Sequence, residues 1–316
     1  MVGEHDIEMQ SICVGRYVMD IPAQWKRQQK GIGSGGDATF YFGHDEDFTK
    51  VDVSVVDDGR DGEFESSVLA RESSLRKKEN FSTDAPMLLS REDIRPGVVL
   101  LSSYASVDST AAVRLELHAL LDAARVVLGE TAYSADARAG VQARLVSMLS
   151  SIRGSGENEV TDDPKGFCVG GAIFDPGSDY EEAGITYAGR LDGVPVKLQV
   201  DINTFEQASD EPGLIERGEK NLAGFGVRPK KMRSGSQQLA GDPGEEWLGA
   251  FVEDGRRLHG FYAETSVRKP TREAPKLLLS FLTGDEDRGP AAGGVDDDSA
   301  IALWDKILAS LRKQHE

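Results

Sequence analysis

The residues that could do chemistry are few, and their spacing brings no reactive set together. Five histidines (His5, His44, His118, His259 and His315) offer general bases, but none accompanies a G-x-S-x-G elbow or forms an H-E-x-x-H zinc helix. His118 lies in the alternating run Val113 to Leu121 and His259 in Leu258 to Thr265, so both read as strand residues, and the other three as solvated side chains. The run Gly31-Ile32-Gly33-Ser34-Gly35-Gly36 has the letters of a dinucleotide fingerprint. Such a site needs a strand before it and a helix after it, whereas this run follows the polar stretch Gln24 to Lys30 and leads into a strand pattern, Asp37 to Phe42, so it reads as a turn.

Three acidic clusters, Asp45-Glu46-Asp47, Asp285-Glu286-Asp287 and Asp296-Asp297-Asp298, lack the glycine and terminal glutamate of a calcium loop and read as solvated loop charge. The basic stretch Arg228-Pro229-Lys230-Lys231-Met232-Arg233 has no aromatic residue near it on which a base could stack. Two cysteines, Cys13 and Cys168, are too few for a disulfide framework and have no zinc spacing. They are buried apolar residues, a bridge between the two halves, or reactive thiols. No catalytic set, cofactor site or metal site emerges, and a non-enzymatic protein is expected.

The charge balance points to the kind of partner. The 316 residues carry a formal net charge of −18, with 54 acidic against 36 basic side chains. That field repels nucleic acid and anionic membranes and suits a cationic protein surface. No apolar run reaches the eighteen residues that a membrane helix needs. The first dozen residues include Glu4, His5, Asp6 and Glu8 where a secretory leader would be basic and then apolar, so the expectation is either an internal protein or one whose leader is missing.

Internal similarity organises the rest. Cys13-Val14-Gly15-Arg16-Tyr17-Val18-Met19-Asp20 aligns with Cys168-Val169-Gly170-Gly171-Ala172-Ile173-Phe174-Asp175. Near the two ends, Leu145, Met148, Leu149 and Ile152 align with Trp304, Ile307, Leu308 and Leu311, each set spaced as one face of a helix. Between them, Val51, Val53 and Val55 alternate with polar residues as Val196, Leu198, Val200 and Ile202 do, which predicts a half-buried strand in each half. Helical segments follow at 63–78 and 213–222, with Arg71 opposite Arg217. Strands at 98–103, 113–121 and 124–128 match strands at 246–252, 258–265 and 276–282, joined by short turns as in an antiparallel meander.

The fold class is therefore α+β: two similar domains from an internal duplication, each an antiparallel sheet packed with helices. The small, polar run Gly154-Ser155-Gly156-Glu157-Asn158, continuing to Asp162-Asp163-Pro164, reads as the linker and places the domains at 1–155 and 156–316. A second weak segment, 284–298, precedes the last helix, with Asp298 or Ser299 as its N-cap.

The openings Ile12-Cys13-Val14-Gly15-Arg16-Tyr17 with Asp20-Ile21-Pro22, and Gly166-Phe167-Cys168-Val169-Gly170-Gly171, resemble those of the immunity proteins that neutralise lipase effectors of bacterial type VI secretion systems. The resemblance covers the whole chain and implies a periplasmic inhibitor of two α+β lobes arranged like a claw, which grips a phospholipase and blocks its active-site access or its lid. A periplasmic home would also permit a disulfide between Cys13 and Cys168. The partner is then a cognate lipase, with no nucleic acid, no membrane insertion and no cofactor. The acidic loops at Asp45-Glu46-Asp47 and Asp285-Glu286-Asp287 are the candidate contacts. The alternative is an envelope module that binds a small molecule or peptide between its domains.

Overall fold

The computed structural model describes residues 7–29, 36–43, 48–56, 61–121, 124–154, 166–205, 211–224, 229–253, 255–284 and 294–314. The linker residues beyond Gly154, the run 31–35 and the acidic clusters Asp45–Asp47 and Asp285–Asp287 lie outside them. The chain forms two compact units, each discontinuous in sequence. Unit N takes the described residues within 29–159 and 166–179, and unit C those within 7–28 and 180–314.

The sheet of unit N is antiparallel, in the order Ala38–Phe42, Thr49–Val56, Ala124–Ala132, Ser109–Leu121, Val98–Ser106 and Leu88–Arg95. Helix α1 (Asp61–Lys77) follows Thr49–Val56, and helix α2 (Ala137–Met148) follows Ala124–Ala132, the last of these strands along the chain. Pleating sorts the side chains. On one face Phe40, Val51, Val53, Val55, Leu115, Leu117, Val126 and Leu128 are buried, together with Val141, Leu145 and Met148 of α2. The Phe40 ring lies 5.4 Å from those of Phe167 and Phe174. The opposite face carries Asp52, Ser54, Arg114, Glu116 and His118 at paired positions. Helix α1 is anchored there by Phe64, Val68 and Leu75, packed with Met87, Val99 and Leu101.

Unit C repeats this order with Tyr180–Leu191, Val194–Asn203, Lys276–Thr283, Arg256–Thr265, Asp242–Glu253 and Lys230–Leu239. Helix α3 (Leu214–Gly224) follows its second strand and helix α4 (Asp297–Ser310) its last. Leu198, Val200, Phe261, Leu279 and Phe281 are buried with Leu303, Trp304, Ile307 and Leu308 of α4. Rings of Trp25, Phe261, Phe281 and Trp304 meet at centroid distances of 5.6 to 6.3 Å.

Each unit also holds a small three-stranded sheet. In unit C the hairpin Met9–Val14/Tyr17–Pro22 is joined by Arg312–Lys313, with Arg312 opposite Val18. In unit N the hairpin Phe167–Val169/Ala172–Phe174 is joined by Ile152–Gly154, with Arg153 opposite Ile173. The hairpin that opens each half of the sequence thus pairs with the strand that closes the other half. Both hairpins turn on two residues, and the first of them is glycine at positive φ: Gly15 at 56° and Gly170 at 54°. That is the II′ turn, whose first position suits glycine alone among ordinary residues.

The structure departs from the sequence pattern at helix ends. Helix α2 stops at Met148 and passes through a tight turn, Leu149–Ser151, so Ile152 is buried from a strand and not from a helix face. The N-cap of α4 is Asp296, not Asp298 or Ser299. Its carboxylate accepts the Ser299 backbone N–H at 2.9 Å, the reach from N-cap to third helical residue. The basic stretch ending at Arg233 enters the edge strand Lys230–Leu239. No helix among the described residues is long and apolar enough to cross a membrane.

Candidate partner-binding surfaces

The charged residues on the two polar sheet faces spend their bonding capacity on each other. In unit N, Arg71 on α1 donates to both carboxylate oxygens of Glu116, at 2.8 and 2.6 Å. Burial pushes the Glu116 carboxyl up, but the Arg71 hydrogen bond, the His118 contact and their charges more than reverse this and hold it at about 2. Arg114 donates to Asp52 at 2.7 Å, its guanidinium lying where a side chain on Gly129 would be. These groups line an open cavity of 590 Å³ beside Lys78 and Thr131. In unit C a smaller cavity of 210 Å³ takes the corresponding place beside α3, and there Arg217 donates to Glu264 at 2.7 Å.

Among the described residues, neither polar face presents an acid–base pair poised for reaction. His118 is buried with its Nε2 3.7 Å from Glu116. His259 lies between Thr283 Oγ1 and Asp297 Oδ1, 3.1 Å from each. Thr283, His259 and Asp297 have the composition of a nucleophile relay, but the Thr283 hydroxyl is buried and already accepts the His259 backbone N–H at 2.8 Å. Asp297 is also held by Arg257, whose hydrogen bond is the chief reason its carboxyl sits well below the usual range. This cluster fastens the start of α4. A second clasp surrounds Glu181, wholly buried and held by Arg16 from the hairpin turn at 2.7 Å and by Arg272 at 3.0 Å. Among the described residues no group of three or more His, Cys, Asp or Glu could hold a metal ion.

Of the sequence candidates, Cys13 and Cys168 are both disulfide-bonded, so neither is a reactive thiol. Cys168 is buried, and Cys13 Sγ receives a hydrogen bond from Gln314 Nε2 at 2.8 Å. The acidic trios at Asp45-Glu46-Asp47 and Asp285-Glu286-Asp287 lie outside the described residues, although Phe48, next in sequence to the first, is described. What sequence reasoning missed are large apolar side chains left exposed in turns: Phe81 at 72%, Tyr133 at 78% and Phe48 at 38%. The signal was present, since Phe81 and Tyr133 each stand beside serines and other turn formers, where a core aromatic is out of place.

A molecule whose buried charges brace its own framework, and which leaves large aromatic side chains exposed in turns, has the character of a protein-binding scaffold. The chain is a member of the Tle cognate immunity protein 4 family: residues 10–162 match the family's N-terminal domain and residues 162–316 its C-terminal domain. Its fold is that of the structure described as the Tle4–Tli4 complex, with 20% identity, 97% of each chain covered and a TM-score of 0.68. It is also that of the apo immunity protein TplEi of the type VI secretion system from Pseudomonas aeruginosa, with 19% identity, 97% of each chain covered and a TM-score of 0.67. The same TplEi complexed with an "L" peptide aligns at 18% identity over 97% of this chain and 98% of that one, with a TM-score of 0.63. No curated protein matches the chain.

Proposed function

We propose that this chain is an immunity protein that binds a type VI secretion lipase effector and inhibits it by occluding its active-site access or lid. The observation that carries the reading is the match of both halves to the two domains of one immunity family, joined by a likeness across 97% of the chain to a protein solved with its effector. The internal use of the buried charges supports an inhibitor that works by contact and not by turnover. The acidic balance supports fast capture of a basic partner. The disulfide-bonded cysteines support action in an oxidising compartment, the periplasm. If so, reduction should lower stability by about 2–5 kcal/mol in urea unfolding with and without dithiothreitol.

The two units are read as copies of one ancestral unit. They share strand order, helix placement, II′ hairpins on Gly15 and Gly170, and a matched Arg–Glu pair. The function is tested by co-expressing the chain with a candidate type VI secretion lipase effector from the same genome and purifying through a tag on the lipase. A complex that survives gel filtration is expected, and elution of the two proteins apart would contradict the reading.

A further inference from the structure

The exposed aromatic residues of unit N gather at one end of its sheet. Thr49 starts the second strand and Ala132 ends the last, and these strands run antiparallel with Asp52 opposite Gly129. Phe48 and Tyr133 therefore fall at the same end of the sheet, where the Phe48 ring meets that of Tyr41 edge-on at 5.6 Å. At the same end the Val98–Ser106 strand turns into Ser109–Leu121, and Phe81 is tied to this turn by its backbone N–H, which donates to Val107 at 2.6 Å. The cavity that holds Arg114 and Thr131 also lies towards this end, since Arg114 pairs opposite Thr131, one residue short of the strand's last residue.

Charge surrounds the rings. Asp84 shares the turn with Phe81, and the fully exposed Asp108 follows Val107, its carboxyl lowered by the Ser106 hydrogen bond. Asp136 lies three residues after Tyr133. Of the basic side chains at this end, Lys50 is exposed beside Phe48 and Lys78 lines the cavity, while Arg114 and Arg71 are taken up by Asp52 and Glu116. Exposed aromatic groups with a charged rim form the usual anatomy of a contact that anchors through rings and is steered by its rim. Unit C offers no counterpart among the described residues, since its exposed large apolar side chains are Val252 and Leu282, neither of them aromatic.

We propose that this end of unit N, with Phe48, Phe81 and Tyr133 as anchors and its acidic rim, is the surface that receives the lipase effector, through an apolar segment of the effector bordered by Lys and Arg. The proposal rests on the immunity reading above. Binding of the full chain to the type VI secretion lipase that co-purifies with it is measured by surface plasmon resonance for wild type, Phe81→Ala/Tyr133→Ala, Asp84→Asn/Asp108→Asn and the control Val252→Ala/Leu282→Ala. Loss of the two anchors is expected to weaken binding by about 30-fold or more, because buried interface aromatics act as hot spots. Neutralising the two rim acids should slow association several-fold and reduce its salt dependence. The control should bind within about twofold, as exposed positions outside an interface do.

Unfolding midpoints for all variants show whether a loss of binding is a loss of fold. These side chains are solvent-facing, so the midpoints should be unchanged. Wild-type binding with an unaffected Phe81→Ala/Tyr133→Ala variant overturns this surface and leaves the immunity reading standing. Weakening by the control alone moves the contact to unit C. No binding by the wild-type chain overturns both readings.

Discussion

Units N and C are built on one plan, yet the ion pair that each places between its first helix and its polar sheet face differs in kind. Arg71 and Glu116 form two parallel bonds, and the Glu116 side chain is 5% exposed. Arg217 and Glu264 share one bond, and Arg217 gives its other nitrogen to the Pro212 carbonyl at 3.1 Å. The cause is the helix above. Helix α1 has 17 residues and seats Phe64, Val68 and Leu75 on the sheet beside the pair, so that Glu116 is buried although its pair lines the open cavity. Helix α3 has 11 residues, and its pair is only slightly more exposed, the Glu264 side chain at 9% against 5% for Glu116. The comparison teaches that a repeated fold can keep the identity and position of a polar contact while its energetic weight is set by the apolar packing around it.

Breaking the pair in each unit is the strongest way to test that difference. Arg71→Ala leaves a buried carboxylate without its partner and is expected to cost about 3–5 kcal/mol in urea unfolding. Arg217→Ala removes a single charge-assisted bond and is expected to cost about 1.5–3 kcal/mol. Equal losses would break the comparison.

Acid sharpens it. The folded-state Glu116 carboxyl sits at about 2, below its ordinary 4.5, so its stabilising contribution is complete above pH 4.5 and is lost as pH falls towards 2. Arg71→Ala should therefore flatten the fall in stability across that window, as followed by urea midpoints at stepped pH. An unchanged acid limb would mean that the pair carries no such linkage. The smallest effect tests the likeness of the units. Gly15→Ala and Gly170→Ala each force a side chain into a left-handed turn and should each cost about 1–2 kcal/mol. A large inequality between them would show that the two hairpins are not equivalent.

Much of this plan was legible in the sequence because it depends on local pattern. Alternation at Val51, Val53 and Val55 located a half-buried strand, and the aligned Cys-Val-Gly openings marked two equivalent segments, which the structure forms into hairpins. Aligning Arg71 with Arg217 located two residues that turn out to share a role. What escaped depends on pairing between distant segments. The strand Leu88–Arg95 is an edge strand with two register shifts and mixed charge, so it has no clean alternation to read. Ile152 and Leu311 fit the helical spacing but lie beyond the last helical turn, because the chain there is taken up by sheet pairing with a hairpin from the other half of the sequence. The aromatic rim was hidden for the same reason. Only the register of three strands brings Phe48, Tyr133 and Phe81 to one end.

The central claim is inhibition by contact, and its most direct measurement is a titration of the purified lipase with this chain while hydrolysis of a phospholipid substrate is followed. The account predicts that activity falls in proportion to added chain and reaches the baseline near one chain per lipase, with no consumption of either protein. Lipase activity that stays undiminished at a large molar excess of the chain would contradict it.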